Sequence, residues 1–164
     1  MDKKDKNSKL EKFKKSYSVL QKNYDLPTFE EMNNEFHIEK IAEVETEVII
    51  REIRKFVGEK IMNYMRFVEN LLNPVNVPMF VFTIVKVMDS DDKKRLSEIY
   101  KDLVKVEVKF IQRDLDFEEK EDAKFIISSF KFWQKMKKDL QNILNKIDKK
   151  WDRKIVDNSK GYFG

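Results

Sequence analysis

The sequence predicts an all-α protein, an elongated antiparallel helical bundle of three long helices with shorter helices at its N-terminus. With only 3 Gly and 3 Pro in 164 residues, the chain has few turn-forming residues for a many-stranded sheet. Apolar residues make up 41% of the chain and charged residues 39%, which suits long helices with one apolar stripe and a solvated opposite face. Three long segments repeat apolar residues every three or four positions, so we expect one helical domain over residues 1–164.

The first predicted helix is short and amphipathic, and it follows a basic N-terminal tail of about residues 1–9. Its apolar residues recur at three and four positions as far as Tyr24. Thr28 is followed three residues later by Glu31, the pattern of a capping box. We therefore expect a second short helix that ends at Phe36.

The clearest helical pattern of the first half spans residues 41–72, where the apolar spacing stays near 3.5 for about four heptads. Three glutamates (Glu43, Glu45 and Glu47) lie in the predicted opening turns, where the helix dipole favours acids. Gly58 falls inside the apolar stripe, and we expect it to let a neighbouring helix come close.

The next segment, MFVFTIVKVM at residues 79–88, is apolar on every side. Its Val and Phe content also suits a buried strand, but Pro78 fits a first helical position and no partner strand is obvious. We predict a central buried helix here. Because so apolar a helix is hard for a small monomer to cover, a homo-oligomer is the alternative.

The second long helix follows, with Ser90 predicted as its N-cap and Asp91 and Asp92 in its first turn. The helical spacing continues over residues 96–110. Residues 104–110 also alternate apolar and charged side chains, as a strand does. The pattern favours a helix there but leaves a strand open.

The last predicted helix begins near residues 117–119, and its apolar stripe continues past Trp133, a predicted core residue, to Trp151. The acids at its start favour dipole compensation over a docking strip for a basic partner. We expect the helix to end in a polar break, leaving a flexible C-terminal tail of about residues 157–164.

The residue types needed for catalysis or metal binding are scarce. Cysteine is absent, and the single histidine, His37, has no partner motif, so we expect it to be structural or exposed. The acidic run at residues 89–94 fails as a calcium loop because lysines occupy its fifth and sixth positions. We predict no enzyme, no cofactor and no metal.

The longest uncharged apolar run, residues 78–85, is far too short to span a membrane, and the N-terminus lacks an apolar signal segment. A cytoplasmic protein without a membrane partner is expected. Its charge is uneven, because residues 1–15 carry seven lysines against three acids and residues 135–160 carry nine bases against four acids.

These features favour a non-enzymatic interaction protein that docks on a macromolecular partner, most simply a protein, through a helix face and the C-terminal tail. The tail presents an aromatic pair and a terminal carboxylate (Tyr162, Phe163 and Gly164). Two roles stay open for the aromatic pair. It could fold back onto the bundle or enter a partner's groove, and the flanking glycines favour the groove.

The alternative function is sequence-independent binding to nucleic acid or the ribosome through the basic ends. Its candidate contacts are the lysines and arginine around an indole that could stack on bases, Lys149, Lys150, Trp151, Arg153 and Lys154. Lysines outnumber arginines 28 to 6, which argues against base-specific readout.

Three strings, LPTFEEMNNEFHIEKI, LLNPVNVPMF and the terminal YFG, together resemble a group of small, uncharacterised helical proteins of archaeal type. The resemblance covers most of the chain. It implies the helical fold described above and no particular activity.

Overall fold

A computed structural model describes the backbone of residues 3–160 and the side chains of residues 5–150. Within that part of the chain every regular element is a helix and no strand is present, which confirms the all-α prediction. The elements are α1 (Lys3–Tyr24), α2 (Phe29–Phe36), a 3₁₀ helix (Ile38–Glu43), α3 (Ile49–Leu72), α4 (Met79–Val87), α5 (Ser90–Leu115) and α6 (Glu119–Lys160).

The chain divides into two compact units, and the divisions fall within α3, α5 and α6. The first unit consists of Met1–Asn63 and Lys105–Trp133, and the second of Tyr64–Val104 and Gln134–Gly164. Both units contain buried apolar side chains. Representative core residues are Tyr17, Ile53, Val57, Ile126 and Trp133 in the first unit, and Val68, Leu96, Leu103, Met136 and Leu140 in the second.

The N-terminal elements follow the predicted pattern closely. The Glu31 backbone N–H donates to Thr28 Oγ1 at 3.2 Å, and the Thr28 N–H donates to Glu31 Oε2 at 2.8 Å, so the capping box is confirmed. His37 ends α2 in the left-handed conformation, with a φ of 54°, and its side chain is exposed as expected. However, α1 already begins at Lys3, so the helix takes in most of the predicted basic tail.

The first long helix starts later than predicted, at Ile49 rather than near residue 41. Residues 38–43 form a 3₁₀ helix, whose three-residue repeat buries Ile38 and Ile41 on one side. The three glutamates therefore precede α3 instead of filling its first turns. Within the intervening loop, Thr46 Oγ1 accepts a hydrogen bond from the Val48 N–H at 3.1 Å.

The prediction of a central buried helix at residues 79–88 was right about the helix and wrong about its burial. In α4 Val81 is buried, whereas Met79, Phe80 and Phe82 are 79%, 57% and 37% exposed. A nine-residue helix packs one narrow face, and a segment whose only polar residues are Thr83 and Lys86 gives little sign of which face that is.

Helix α5 continues to Leu115, so residues 104–110 are helical. Its predicted N-cap was wrong by one residue, because Ser90 is already helical and Asp89 caps the helix. The Asp92 N–H donates to Asp89 Oδ1 at 2.9 Å, and the Asp89 N–H donates to Asp92 Oδ2 at 3.2 Å. Helix α6 begins at Glu119, as predicted, and continues to Lys160, past the expected break at residue 157.

Gly58 fulfils its predicted role, since the Phe110 ring of α5 lies against it. A Cβ atom at position 58 would collide with Cε2 of the Phe110 ring. The ring cannot move freely, because it packs against the Arg54 guanidinium, 5.1 Å from the ring centroid, and against Phe125.

We expect Gly58→Ala to lower the free energy of unfolding by about 1–2 kcal/mol. The added methyl group overpacks the contact with Phe110, and the higher helix propensity of alanine offsets part of that cost. Urea unfolding measures this change. The double variant Gly58→Ala/Phe110→Leu, which shortens the opposing ring, should recover most of it. A single variant as stable as wild type would contradict the close approach.

Candidate functional site

The outer face of α5 carries a row of exposed aliphatic side chains in the first unit. Val108 and Ile111 are each 50% exposed, and Leu115 is 84% exposed. Spacings of three and four residues place them on one side of the helix. We call these three residues the α5 stripe. Isolated surface aliphatics are ordinary, but an aligned row on a surface helix is typical of a contact site.

One buried arginine of α3 fixes the end of α5 that carries this stripe. The Arg54 side chain is fully buried. Its Nη2 donates to Asp114 Oδ1 at 3.0 Å and its Nη1 to the Phe110 carbonyl oxygen at 3.4 Å, both on α5. Its Nε donates to Asp122 Oδ2, on α6, at 3.0 Å. A single guanidinium thus joins three helices of the first unit.

The charges around Arg54 match the helix ends that they occupy. A cation near the last turn of α5 and the acid Asp122 in the first turn of α6 both complement the helix dipoles. Arg54 lowers the pKa of the Asp114 carboxyl. Burial raises the pKa of the Asp122 carboxyl, and Arg54 acts in the opposite direction. The arrangement fixes the end of α5 that carries the α5 stripe.

The first unit also contains an open groove of about 560 Å³ between α1, the 3₁₀ helix and the loop before α3. Lysines of α1 line it together with the loop glutamates, over apolar side chains that include Phe13 and Ile41. His37 does not line this groove. Lys6 pairs with Glu43 at 2.6 Å, which lowers the pKa of that carboxyl.

The sequence-predicted sites lie mostly outside the described residues. Tyr162, Phe163 and Gly164 are not described, so the role of the tail stays a prediction. The side chains of Trp151, Arg153 and Lys154 also lie beyond the described ones. Of the candidate nucleic-acid contacts, Lys149 is exposed. The other, Lys150, donates to Asp89 Oδ2 at 2.9 Å and to the Val87 carbonyl oxygen at 3.4 Å.

Lys150 belongs to a cluster of two lysines and two aspartates in the second unit. Lys146 Nζ lies 2.9 Å from Asp89 Oδ2 and 2.9 Å from Asp92 Oδ1. Lys150, the Asp92 backbone N–H and Lys146 together hold the pKa of the Asp89 carboxyl well below its usual range. The described part of the C-terminal basic region is thus partly engaged in tying α6 to the start of α5.

We expect Asp89→Asn to lower the melting temperature at pH 7, because the ionised carboxylate is favoured in the folded state. Because the pKa of the Asp89 carboxyl is lower in the folded state than its unfolded value of about 4, ionisation of this carboxyl stabilises the folded state above about pH 4. That stabilisation is lost as the pH falls below about 4. The difference between variant and wild type should therefore shrink below about pH 4. Melting curves from pH 2 to pH 8 test this, with Asp91→Asn, an exposed acid of the same turn, as the control. A difference independent of pH would contradict it.

No group of three or more histidine, aspartate or glutamate side chains among the described residues is placed to hold a metal ion. None of the described helices combines the length and the apolar character that crossing a membrane requires.

Sequence reasoning missed the α5 stripe. It also missed the Arg54 cluster, which consists of Arg54 and its partners Phe110, Asp114 and Asp122. The stripe had a signal, since residues 108, 111 and 115 form a second apolar row on a helix that already had one. The apolar–charged alternation at 104–110 drew attention to a strand instead. Arg54 had no signal, because its partners lie 60 and 68 residues away.

The fold and these surfaces define an all-α protein that exposes apolar side chains on at least two of its described helices. Comparison of the chain with protein-family models, curated proteins and solved structures found no match. The resemblance to small helical proteins of archaeal type therefore stays a prediction.

Proposed function

We propose that this chain is a non-enzymatic, cytoplasmic interaction protein that docks on a protein partner through the α5 stripe, with the C-terminal tail as a second contact. The observation that carries the proposal is the exposed row of Val108, Ile111 and Leu115. The antiparallel bundle of three long helices, predicted from the sequence, would be its scaffold.

The stripe suits recognition of an amphipathic helix. Three aliphatic side chains over eight residues match the i, i+3, i+7 anchors with which helices bind each other. The Arg54 cluster and the Phe110–Gly58 contact hold this part of α5 against α3. A surface that is ordered before binding loses less conformational entropy on association, which favours affinity.

The nucleic-acid alternative receives less support from the described residues. Lys146 and Lys150 are held by Asp89 and Asp92, and each would have to exchange a carboxylate for a phosphate. Exposed lysines such as Lys149 would have to supply the binding. Any binding of this kind should weaken steeply between 50 and 200 mM salt, as counterion release requires.

The test places a photo-crosslinking amino acid at position 111 of the full chain in its host cells. We expect defined protein adducts that a crosslinker at Val19, a residue of α1 that is 58% exposed, does not give. The adduct partner is then purified, and its affinity is measured for wild type and for the double variant Ile111→Lys/Leu115→Lys. We expect the dissociation constant to rise at least about tenfold, since aliphatic anchors that become buried in the complex would be replaced by charged side chains.

Circular dichroism and melting curves must show that the double variant folds like wild type. A purified partner that binds both proteins equally would contradict the role of the stripe. Adducts with RNA rather than protein, together with strongly salt-dependent RNA binding, would favour the nucleic-acid alternative.

A further inference from the structure

The second unit has an apolar surface that its own side chains do not cover. Val75 is 66% exposed in the loop before α4, and Met79, Phe80 and Phe82 of α4 are exposed as described above. We call these four residues the α4 patch. The stretch of chain that carries them is uncharged, since residues 73–85 contain no acid and no base.

We propose that the α4 patch is the contact between two copies of this chain, related by a two-fold axis. The inference is independent of the proposed function, which concerns α5 of the first unit. It follows from the area of the patch and from its lack of charge.

The area fits a dimer contact of ordinary size. A fully buried aromatic side chain contributes about 150–250 Å². With the exposed fractions above, the four side chains present on the order of 400 Å² of apolar surface. A standard interface buries about 800 Å² per partner, of which roughly 55–65% is apolar. The patch would therefore supply most of the apolar centre, and the exposed Asn76 beside it part of the polar rim.

The absence of charge favours a second copy over other occupants. In a two-fold contact a surface meets itself, so a charged side chain near the axis would face its own like charge. Between Asn70 and Met88 the sequence has a single charged residue, Lys86. Anionic membranes attract clusters of four to eight basic residues, so one lysine is a poor match for a lipid surface.

Sedimentation velocity of the purified full chain, from about 1 to 300 µM, tests the proposal. We expect a concentration-dependent shift from the mass of one chain to that of two. Phe80→Glu should raise the dimer dissociation constant at least about tenfold, because a desolvated glutamate would face its own copy. Leu115→Glu, a matched change on the α5 stripe, should leave it unchanged.

If Phe80→Glu fails to fold, as judged by circular dichroism, Val75→Glu in the preceding loop takes its place. Because the chain has no cysteine, single cysteines at positions 75, 79 and 80 give an independent measurement. We expect a covalent dimer under mild oxidation for at least one of them, and none for Leu115→Cys. A monomer at every concentration, or no patch-dependent disulfide, would overturn the proposal. So would a monomer that co-sediments with phosphatidylserine vesicles through the same residues.

Discussion

Arg54→Ala should lower the free energy of unfolding by about 3–5 kcal/mol, the range found when one partner of a buried ion pair is removed. Arg54 is fully buried, and Asp122, its partner at 3.0 Å, is fully buried as well. The variant leaves that carboxylate without its cation. It also removes the guanidinium from Asp114 and from the Phe110 carbonyl. Urea unfolding at pH 7 measures the loss.

The pH dependence of this loss identifies Asp122 as its main cause. Burial raises the pKa of the Asp122 carboxyl, and in the variant Arg54 no longer opposes that effect. An acid with a raised folded-state pKa destabilises the protein above that pKa and is tolerated, protonated, below it. The penalty of Arg54→Ala should therefore shrink as the pH falls from 7 toward the unfolded-state value of about 4.

Two further variants separate charge from packing. Arg54→Met/Asp122→Leu removes both charges and keeps the volume, so it should recover more than half of the lost stability. Arg51→Ala removes a neighbouring arginine that stacks on the Phe117 ring, 4.8 Å from its centroid, and should cost no more than about 1 kcal/mol. An Arg54 variant as mild as the Arg51 variant would contradict the role given to the buried pair.

The helices were predictable because their signals are local. The Thr28–Glu31 capping box, the start of α6 at Glu119 and the glycine at position 58 each depend on a few neighbouring residues. Predicted helix boundaries were wrong where the same local sequence pattern fits two kinds of helix. The 3₁₀ helix buries Ile38 and Ile41 with a spacing that also fits the start of an α-helix, so the first long helix was predicted to begin eight residues early.

The contacts that position the candidate site were not predictable, since they join residues far apart in the chain. Asp122 appeared in the sequence as one of several acids at the start of a helix, where dipole compensation explained it. Nothing local distinguishes it from the neighbouring acid Glu121, which pairs with Lys124 one turn on. Burial decides which acid meets Arg54, and burial depends on the packing of three helices.

The exposure of α4 could not be predicted from its amino-acid composition either. Hydrophobicity indicates that a segment avoids water, but it does not say whether the same chain or a second one covers it. Val81 is covered within the chain, and Phe80 is not. The sequence was compatible with both a buried helix and an oligomer, and the exposed side chains of α4 are the basis on which we propose the second.

Trp133 is the other position where we expect a large effect, and here the sequence did predict a core residue. Its side chain is 2% exposed and packs against Phe36, with ring centroids 5.9 Å apart. Its Nε1–H donates to Glu35 Oε2 at 2.7 Å, and Lys60 Nζ lies 4.9 Å from the centroid of the ring. The indole thus joins α2, α3 and α6 of the first unit.

Trp133→Ala should lower the free energy of unfolding by about 3–5 kcal/mol, because it leaves a large cavity between three helices. Trp133→Phe keeps an aromatic ring but removes the N–H donor from Glu35, so it should cost about 1–3 kcal/mol. Urea unfolding measures the free energy of unfolding of both variants. The difference between the two losses gives the contribution of the aromatic ring, separate from that of the hydrogen bond to Glu35. Equal losses would mean that the bond to Glu35 dominates, and two small losses would mean that α2 does not pack on α6 through this residue.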